Sequence, residues 1–356
     1  MMPGAGADRF LPRRHRCGGK AEEKAGSPPS SDDWRTMKQD TFAGVDIGGT
    51  NIKIVLAGAS GRVIVSTSIP TDAGKGPEDA FDRIAAALTG LAAGREIKAA
   101  GVACAGLFDR ATGRLHSSPN LLAWQNAPLG RIARSRIGVY TVVDNDANAA
   151  AYGEYFRGCG RGRGTLICVA LGTGVGGGIV IDGRPLRGSR NFAGEIGHAT
   201  ICETGPRCHC GGRGCLEAYL GAYALVREAR SKLRRGKSRY LSRWVGEGRR
   251  MTPKLIADAA ARGDRAAREV FEEAGAHLGA AIANLINIFN PDLIVIAGGV
   301  AQGFHHMRPR LEEEVRRRAF PESRRAAKIV RARLGTEAAA IGAALLARDA
   351  AANSSG

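Results

Sequence analysis

No run of 18 or more apolar residues occurs in the chain, so nothing in it reads as a membrane span. Arg13, Arg14 and Arg16 are not followed by an apolar stretch, so neither a secretory leader nor a twin-arginine signal is indicated. Acidic residues are in short supply: 34 Asp and Glu stand against 52 Lys and Arg, a formal net charge of +18. The excess concentrates in 227–250, with ten Arg or Lys against Glu228 and Glu247, and in 308–333. Neither stretch interleaves aromatics as a base-stacking surface does, so nucleic acid is not the expected partner. An Arg-rich surface that attracts small anions accounts for the charge. The cysteines do not form a disulfide framework. Cys202, Cys208, Cys210 and Cys215 crowd together, while Cys17, Cys104, Cys159 and Cys168 are scattered. A reducing, cytoplasmic setting fits this distribution, and there a cysteine cluster points to metal or catalysis.

What is present divides at about residue 40. Residues 1–40 are rich in Gly, Pro, Ser and charge without apolar periodicity, and are expected to be a disordered tail. Met37, just before the first strand, is the expected biological start. From residue 42 the pattern becomes regular. Strands are expected at 42–47, 52–57, 63–69, 99–104 and 139–143, with helices at 77–91 and 147–155. The second half repeats the theme, with strands at 165–171, 177–181 and 292–297. Residues 252–290 are expected to be helical with a break at Gly263, and 336–347 to form a last, Ala-rich helix. Two strand–glycine-turn–strand units, one in each half, predict two α/β lobes with the ligand between them.

The first glycine turn is Asp46-Ile47-Gly48-Gly49-Thr50-Asn51, with Lys53 just beyond it. Glycines let backbone N–H groups approach phosphate oxygens, and Thr50 adds a hydroxyl donor. Asp46 is itself anionic, and its use is to hold the magnesium (Mg2+) that neutralises ATP. Gly172, Thr173 and Gly174, in the run 171–178, offer the same chemistry from the second half. Neither turn carries a P-loop's Lys-Ser/Thr ending or opens directly into a long helix, which disfavours Walker and Rossmann folds. Gly298-Gly299 follows a third buried strand. It suits either a flat adenine lying against the backbone or a plain strand-to-helix turn.

The sharpest local signal is Gly194-Glu195-Ile196-Gly197-His198 followed by Cys208-His209-Cys210 and Cys215-Leu216-Glu217. Three thiolates and an imidazole make a closed tetrahedral zinc (Zn2+) site, structural because no position is left for water. The expected ligands are His198, Cys208, Cys210 and Cys215, with Cys202 and His209 as competitors. The flanking carboxylates Glu195 and Glu217 suit sugar hydroxyls. Asn145 and Asp146 join a buried strand to a helix, at the strand end where α/β sheets bind ligands. Phosphorylation of an alcohol needs a carboxylate to take its proton, and Asp146 is the candidate base.

These motifs, with Pro119-Asn120-Leu121, Trp124, Asn148-Ala149 and the run 294–299, resemble the ROK family of repressors and sugar kinases, and its bacterial glucokinase branch above all. The likeness spans about 41–348 and implies a two-lobed, actin-like ATPase (ribonuclease H-like) fold of the hexokinase type. It implies an N-terminal lobe at 41–155 joined by the helix 336–348, and a C-terminal lobe with the zinc loop at 156–335. It implies ATP as phosphoryl donor, Asp146 as general base, and Asn120, Asn145, Asp146, Glu195, His198 and Glu217 as sugar contacts. Homo-oligomers, dimers or tetramers, are implied as well. The alternatives within the family are fructose, mannose or an N-acetylhexosamine as substrate, and a sugar-sensing regulator that does no chemistry. Family regulators carry a DNA-binding module for which 1–40 is too short and too rich in Gly and Pro. Polyphosphate is the alternative donor. One departure stands out: Ala105 replaces the proline that usually precedes Gly106, which leaves the shape of that pocket edge open.

Overall fold

The computed structural model describes residues 40–109, 112–118, 120–236 and 238–354. Residues 1–39 of the expected tail, with Cys17 and Met37, and Pro119 lie outside the described residues. Strands β1 (Thr41–Ile47), β2 (Asn51–Gly58) and β3 (Val63–Pro70) form an antiparallel meander. Helix α1 (Gly76–Ala92) leads to β4 (Ile97–Cys104), which runs parallel to β1. A hairpin, β5 (Leu107–Asp109) and β6 (Arg114–Ser117), and helix α2 (Leu129–Ile137) precede β7 (Tyr140–Asn145), which is parallel to β4. Helix α3 (Asp146–Phe156) follows without a loop. β1 is apolar nearly throughout and sits mid-sheet, whereas β3 alternates half-buried with exposed residues and forms an edge. α1 buries Phe81, Ile84 and Leu88, the three-and-four spacing of one helical face.

The second sheet repeats the plan. β8 (Thr165–Leu171), β9 (Val175–Ile181) and β10 (Arg184–Pro185) are antiparallel. Five helices follow: α4 (Glu217–Leu220), α5 (Ala222–Arg234), α6 (Tyr240–Gly246), α7 (Pro253–Ala261) and α8 (Arg265–Phe289). β11 (Leu293–Ala297) then pairs in parallel with β8, and after α9 (Phe304–Arg318) and α10 (Pro321–Ala326), β12 (Lys328–Arg331) pairs with β11. The two orders, β3-β2-β1-β4-β7 and β10-β9-β8-β11-β12, are the same figure drawn twice. The expected break at Gly263 is built as two capped helices. Thr252 Oγ1 accepts from Leu255 N at 3.1 Å, and Asp264 Oδ1 accepts from Ala267 N at 3.0 Å. Asp292 stands outside its strand, because its side chain accepts from Gly164 N and Thr165 N and staples the start of β8. In the basic stretch, Trp244 lies under the guanidinium groups of Arg249, 4.6 Å from the ring centroid, and Arg262, at 5.7 Å. Aromatics do interleave with arginine there, contrary to the expectation from sequence.

The last helix, α11 (Ala338–Ser354), starts later and ends later than expected, since Gly335, at φ 60°, and a short 3-10 turn precede it and no breaker stops it after Ala347. It returns to the first sheet and is buried along Ala338–Arg348. Small residues permit this. A Cβ at Gly44 of β1 would collide with the carbonyl of Ala340, and one at Gly342 with the carbonyl of Ala149 in α3. Gly44→Ala is therefore expected to cost about 1–3 kcal/mol of stability, read as a lowered midpoint in thermal or urea unfolding. An unchanged midpoint would mean that α11 does not lie on β1.

Two segments, 157–164 and 332–337, connect the sheets. The fully buried carboxylate of Glu154 holds both: it accepts from Cys159 N at 3.1 Å, Arg333 N at 2.9 Å and Leu334 N at 2.7 Å. Three backbone donors offset the desolvation that a lone buried charge would suffer.

Candidate active site

Strand register brings the site together. Ile47 lies beside Cys104, and Cys104 beside Asn145, so β1, β4 and β7 end level. Asn145 caps α3: its Oδ1 accepts from Ala147 N at 2.8 Å and Asn148 N at 3.2 Å. Its Nδ2 donates to Gly106 O at 3.1 Å. Gly106 has φ 138°, and a Cβ there would strike the Ser117 carbonyl, so the turn forms on glycine alone despite Ala105. Asp146 follows the cap. Burial raises its carboxyl above the usual range, and the backbone N–H of Ala147, 2.9 Å away, pulls it partly back. Asp46, at the end of β1, is pushed up to about 6, first by burial and then by the charge of Asp146, with Lys53 acting against both. Lys53 is the cross-strand partner of Asp46, and its ammonium donates to Thr336 O at 2.7 Å, which ties it to the approach of α11.

Each sheet presents one glycine turn. In the first, Gly48 N donates to Asn51 O at 3.1 Å, and Gly49, Thr50 and Asn51 are exposed. Buried Thr71 braces it: its hydroxyl donates to Gly48 O at 2.7 Å and its N–H to Thr50 O at 2.9 Å. Asn120 packs its Cβ against Gly49. In the second, Gly172 N donates to Gly174 O at 2.9 Å and Thr173 is exposed. This turn is narrower than the run 171–178, because Gly176, Gly177 and Gly178 are part of β9. Gly177 lies against the Gly194 backbone and Gly178 against that of Ala147. Gly298, at φ 89°, presses on the backbone of Leu171 and serves the turn after β11, while Gly299 beside it stands open.

His198, Cys208, Cys210 and Cys215 each place one ligand atom within 4.8 Å of all the others. His198 turns Nδ1 toward Cys208 Sγ, 3.7 Å away, and Nε2 toward Glu195, 4.0 Å away. Cys202 lies outside the cluster against Thr204, and His209 stacks on Tyr223 with centroids 4.3 Å apart. Three sulfurs and one imidazole nitrogen are the donor set of a closed zinc site, so the residues fit that metal. Glu217 links the cluster to the second glycine turn. One oxygen accepts from Val175 N at 3.0 Å and the other from the Cys208 thiol at 3.6 Å. Burial raises the Glu195 carboxyl; His198 counters this, and the charges of Asp146 and Glu217 add to it. His198, Asp146 and Glu217 thus all act on the Glu195 carboxyl.

Sequence reasoning did not find Thr71, Glu154 or the ion pair between Arg187 and Asp144 at 2.6 Å. None belongs to a local motif, and each has a side-chain hydrogen bond to a residue 23 or more positions away. Only the run of three residues Asp144-Asn145-Asp146 hinted that the first acid also has work to do.

A glucokinase from Thermotoga maritima is 33% identical over 313 residues, 88% of this chain and 99% of its own length. A xylose repressor from Caldicellulosiruptor bescii is 33% identical over 287 residues, 79% of this chain and 71% of the repressor. The crystal structure of a ROK family glucokinase from Streptomyces griseus, in complex with glucose and AMPPNP, superposes with a TM-score of 0.75 at 34% identity, covering 86% of this chain and 99% of that one. The twice-drawn sheet is accordingly the actin-like ATPase fold of the hexokinase type. The ROK family profile matches residues 42–350, and the chain belongs to the ROK family.

Proposed function

We propose that this protein is an ATP-dependent hexose kinase that transfers the γ-phosphoryl group to the 6-hydroxyl of glucose. The observation that carries the reading is Asp146, a half-buried carboxylate at the level strand ends, whose charge helps to raise a second carboxylate, Asp46. The likeness to glucokinases along nearly the whole chain supports it. Asp146 takes the proton of the 6-hydroxyl as that oxygen attacks phosphorus. Asn120, Glu195, His198 through Nε2, and Glu217 hold the remaining hydroxyls. Asn145 contributes its second amide hydrogen, because its oxygen is occupied by the helix cap. Gly48, Gly49, Thr50 and Asn51, with Gly172, Thr173 and Gly174, receive the phosphates, Gly298 and Gly299 border the adenine, and Lys53 steadies Asp46. Asp46 would hold Mg2+, which supplies charge neutralisation at the phosphates when bound. His198, Cys208, Cys210 and Cys215 hold a structural zinc that fixes the loop bearing Glu195 and Glu217.

In this reading 41–155 with 336–348 form one lobe and 156–335 the other, closing on the sugar, in a cytoplasmic homo-oligomer. No helix among the described residues is long and apolar enough to cross a membrane. The raised carboxyls set a pH dependence: Asp146, raised by burial, works as base only when ionised, and Asp46, pushed up to about 6, gives up its charge on the acid side, so kcat/KM for glucose is expected to fall toward acid pH. A flat profile down to pH 5 would place the titrating group elsewhere.

The repressor likeness favours one second reading, a sugar sensor without chemistry. A coupled ADP-release assay with Mg2+, ATP and glucose, mannose, fructose, N-acetylglucosamine or N-acetylmannosamine separates the two, with polyphosphate as alternative donor. Turnover with glucose above the others supports the proposal. Hexose binding by calorimetry without turnover from either donor supports the sensor.

A further inference from the structure

Beside the candidate base lies a buried ion pair that no step above uses. Asp144, near the end of β7, is only 5% exposed. Its Oδ2 meets Arg187 Nη2 at 2.6 Å. Its Oδ1 accepts from Asn145 N at 2.8 Å and Asn148 Nδ2 at 3.2 Å, so one carboxylate grips residues on both sides of Asp146. Arg187 belongs to the other half of the molecule, two residues after β10. It opens a short loop closed by Ala193 N donating to Arg187 O at 3.0 Å, and that loop runs directly into Gly194 and Glu195. Phe192 in the same loop packs edge-on against His116 of β6, with centroids 6.1 Å apart. The loop therefore touches the first half of the molecule at two points, one charged and one aromatic.

We infer that Arg187 is a positioning residue for the hexose: by holding Asp144 it sets the segment from Glu195 to His198 at a fixed separation from Asp146. What that segment binds rests on the kinase reading; the ion pair and its geometry do not. A charge-assisted bond in this partly dry place is stronger than a surface pair and resists sliding. The grip is end-on through Nη2, since Nε is buried without a protein partner. A lysine can thus replace part of it, although with a shorter reach. A mere staple of the fold would lower stability without distinguishing sugar from nucleotide. A positioning residue acts on the sugar alone, because misplacing reacting groups by about 1 Å costs on the order of 10²-fold in rate.

The test uses Arg187→Ala, Arg187→Lys, Asp144→Asn and the double variant Arg187→Ala/Asp144→Asn in the full chain. KM for glucose and for ATP are measured separately, along with kcat, thermal midpoint and glucose affinity by calorimetry. Arg187→Ala is expected to lower kcat/KM for glucose by about 10²-fold, with KM for ATP nearly unchanged. Lysine should recover part of the loss, and the double variant should be no worse than the worse single one. Unchanged glucose kinetics in Arg187→Ala would overturn the inference. So would equal losses for glucose and ATP that track a fallen midpoint. A wild-type protein silent with every sugar defeats the kinase reading instead, and the calorimetric glucose affinity of the variants then decides on Arg187 by itself.

Discussion

Replacing Asp146 by asparagine is expected to lower kcat by about 10²–10⁴-fold while leaving glucose affinity within a few-fold of wild type. The substitution is well controlled by the local geometry. Asparagine keeps the side-chain oxygen that accepts from Ala147 N, so the start of α3 survives, and the cap on Asn145 is untouched. What is lost is the capacity to take a proton. The charge that raises Asp46 disappears as well, so the Asp46 carboxyl should relax downward from about 6, and residual activity should lose its fall at acid pH. Initial rates from pH 5 to 8, with glucose affinity by calorimetry, give both readouts. Turnover within about tenfold of wild type would remove Asp146 as the base and leave Asp46 as the next carboxylate to examine.

Removing the metal is expected to have the second-largest effect. Cys210 is exposed, so Cys210→Ser deletes one thiol of the cluster without opening the core. Zinc content should fall from one ion per chain to none, and turnover and glucose affinity should each drop by about 10–100-fold. The loss travels along named bonds. Glu217 follows the ligand Cys215 by two residues and holds Val175 N beside the second glycine turn, and His198 lies within reach of Glu195. Freeing the cluster unfastens both acids and the turn together. Chelator-treated wild type should behave like the variant and recover with added zinc. Metal-free protein that binds glucose as tightly as before would show that the loop holds its shape unaided.

Most elements were legible in the sequence where a physical signal was local. Apolar strands ended by glycines gave β1, β8 and β11 to within a residue or two, and Thr252 and Gly263 announced the pair α7 and α8. The hairpin of β5 and β6 escaped notice because its strands are only three and four residues long. Helices α2 and α9 are heavy in arginine, which dilutes their apolar content, and the sequence reading does not include them. The metal cluster was legible because its four residues lie within 18 positions, so spacing alone constrains them. The Arg187–Asp144 pair joins positions 43 apart, one in a loop and one on a strand, and nothing in either neighbourhood names the other. Likewise nothing near Lys53 in the sequence names Thr336, 283 positions away, whose carbonyl accepts a hydrogen bond from its ammonium.

The return of α11 to the first sheet has a consequence for how the protein is made. Domains generally fold as units while the chain is still being synthesised, N-terminal parts first. Here that order is blocked. The surface that β1 and α3 offer through Gly44 and Gly153 is covered by Ala338–Gly342, which leaves the ribosome after the second sheet is complete. Through some two hundred residues of synthesis the first sheet waits with an apolar face bare, while β8 to β12 assemble beside it. The nascent first half is thus the form of this protein with most to gain from a chaperone, and release of the last helix is the event that ends that need.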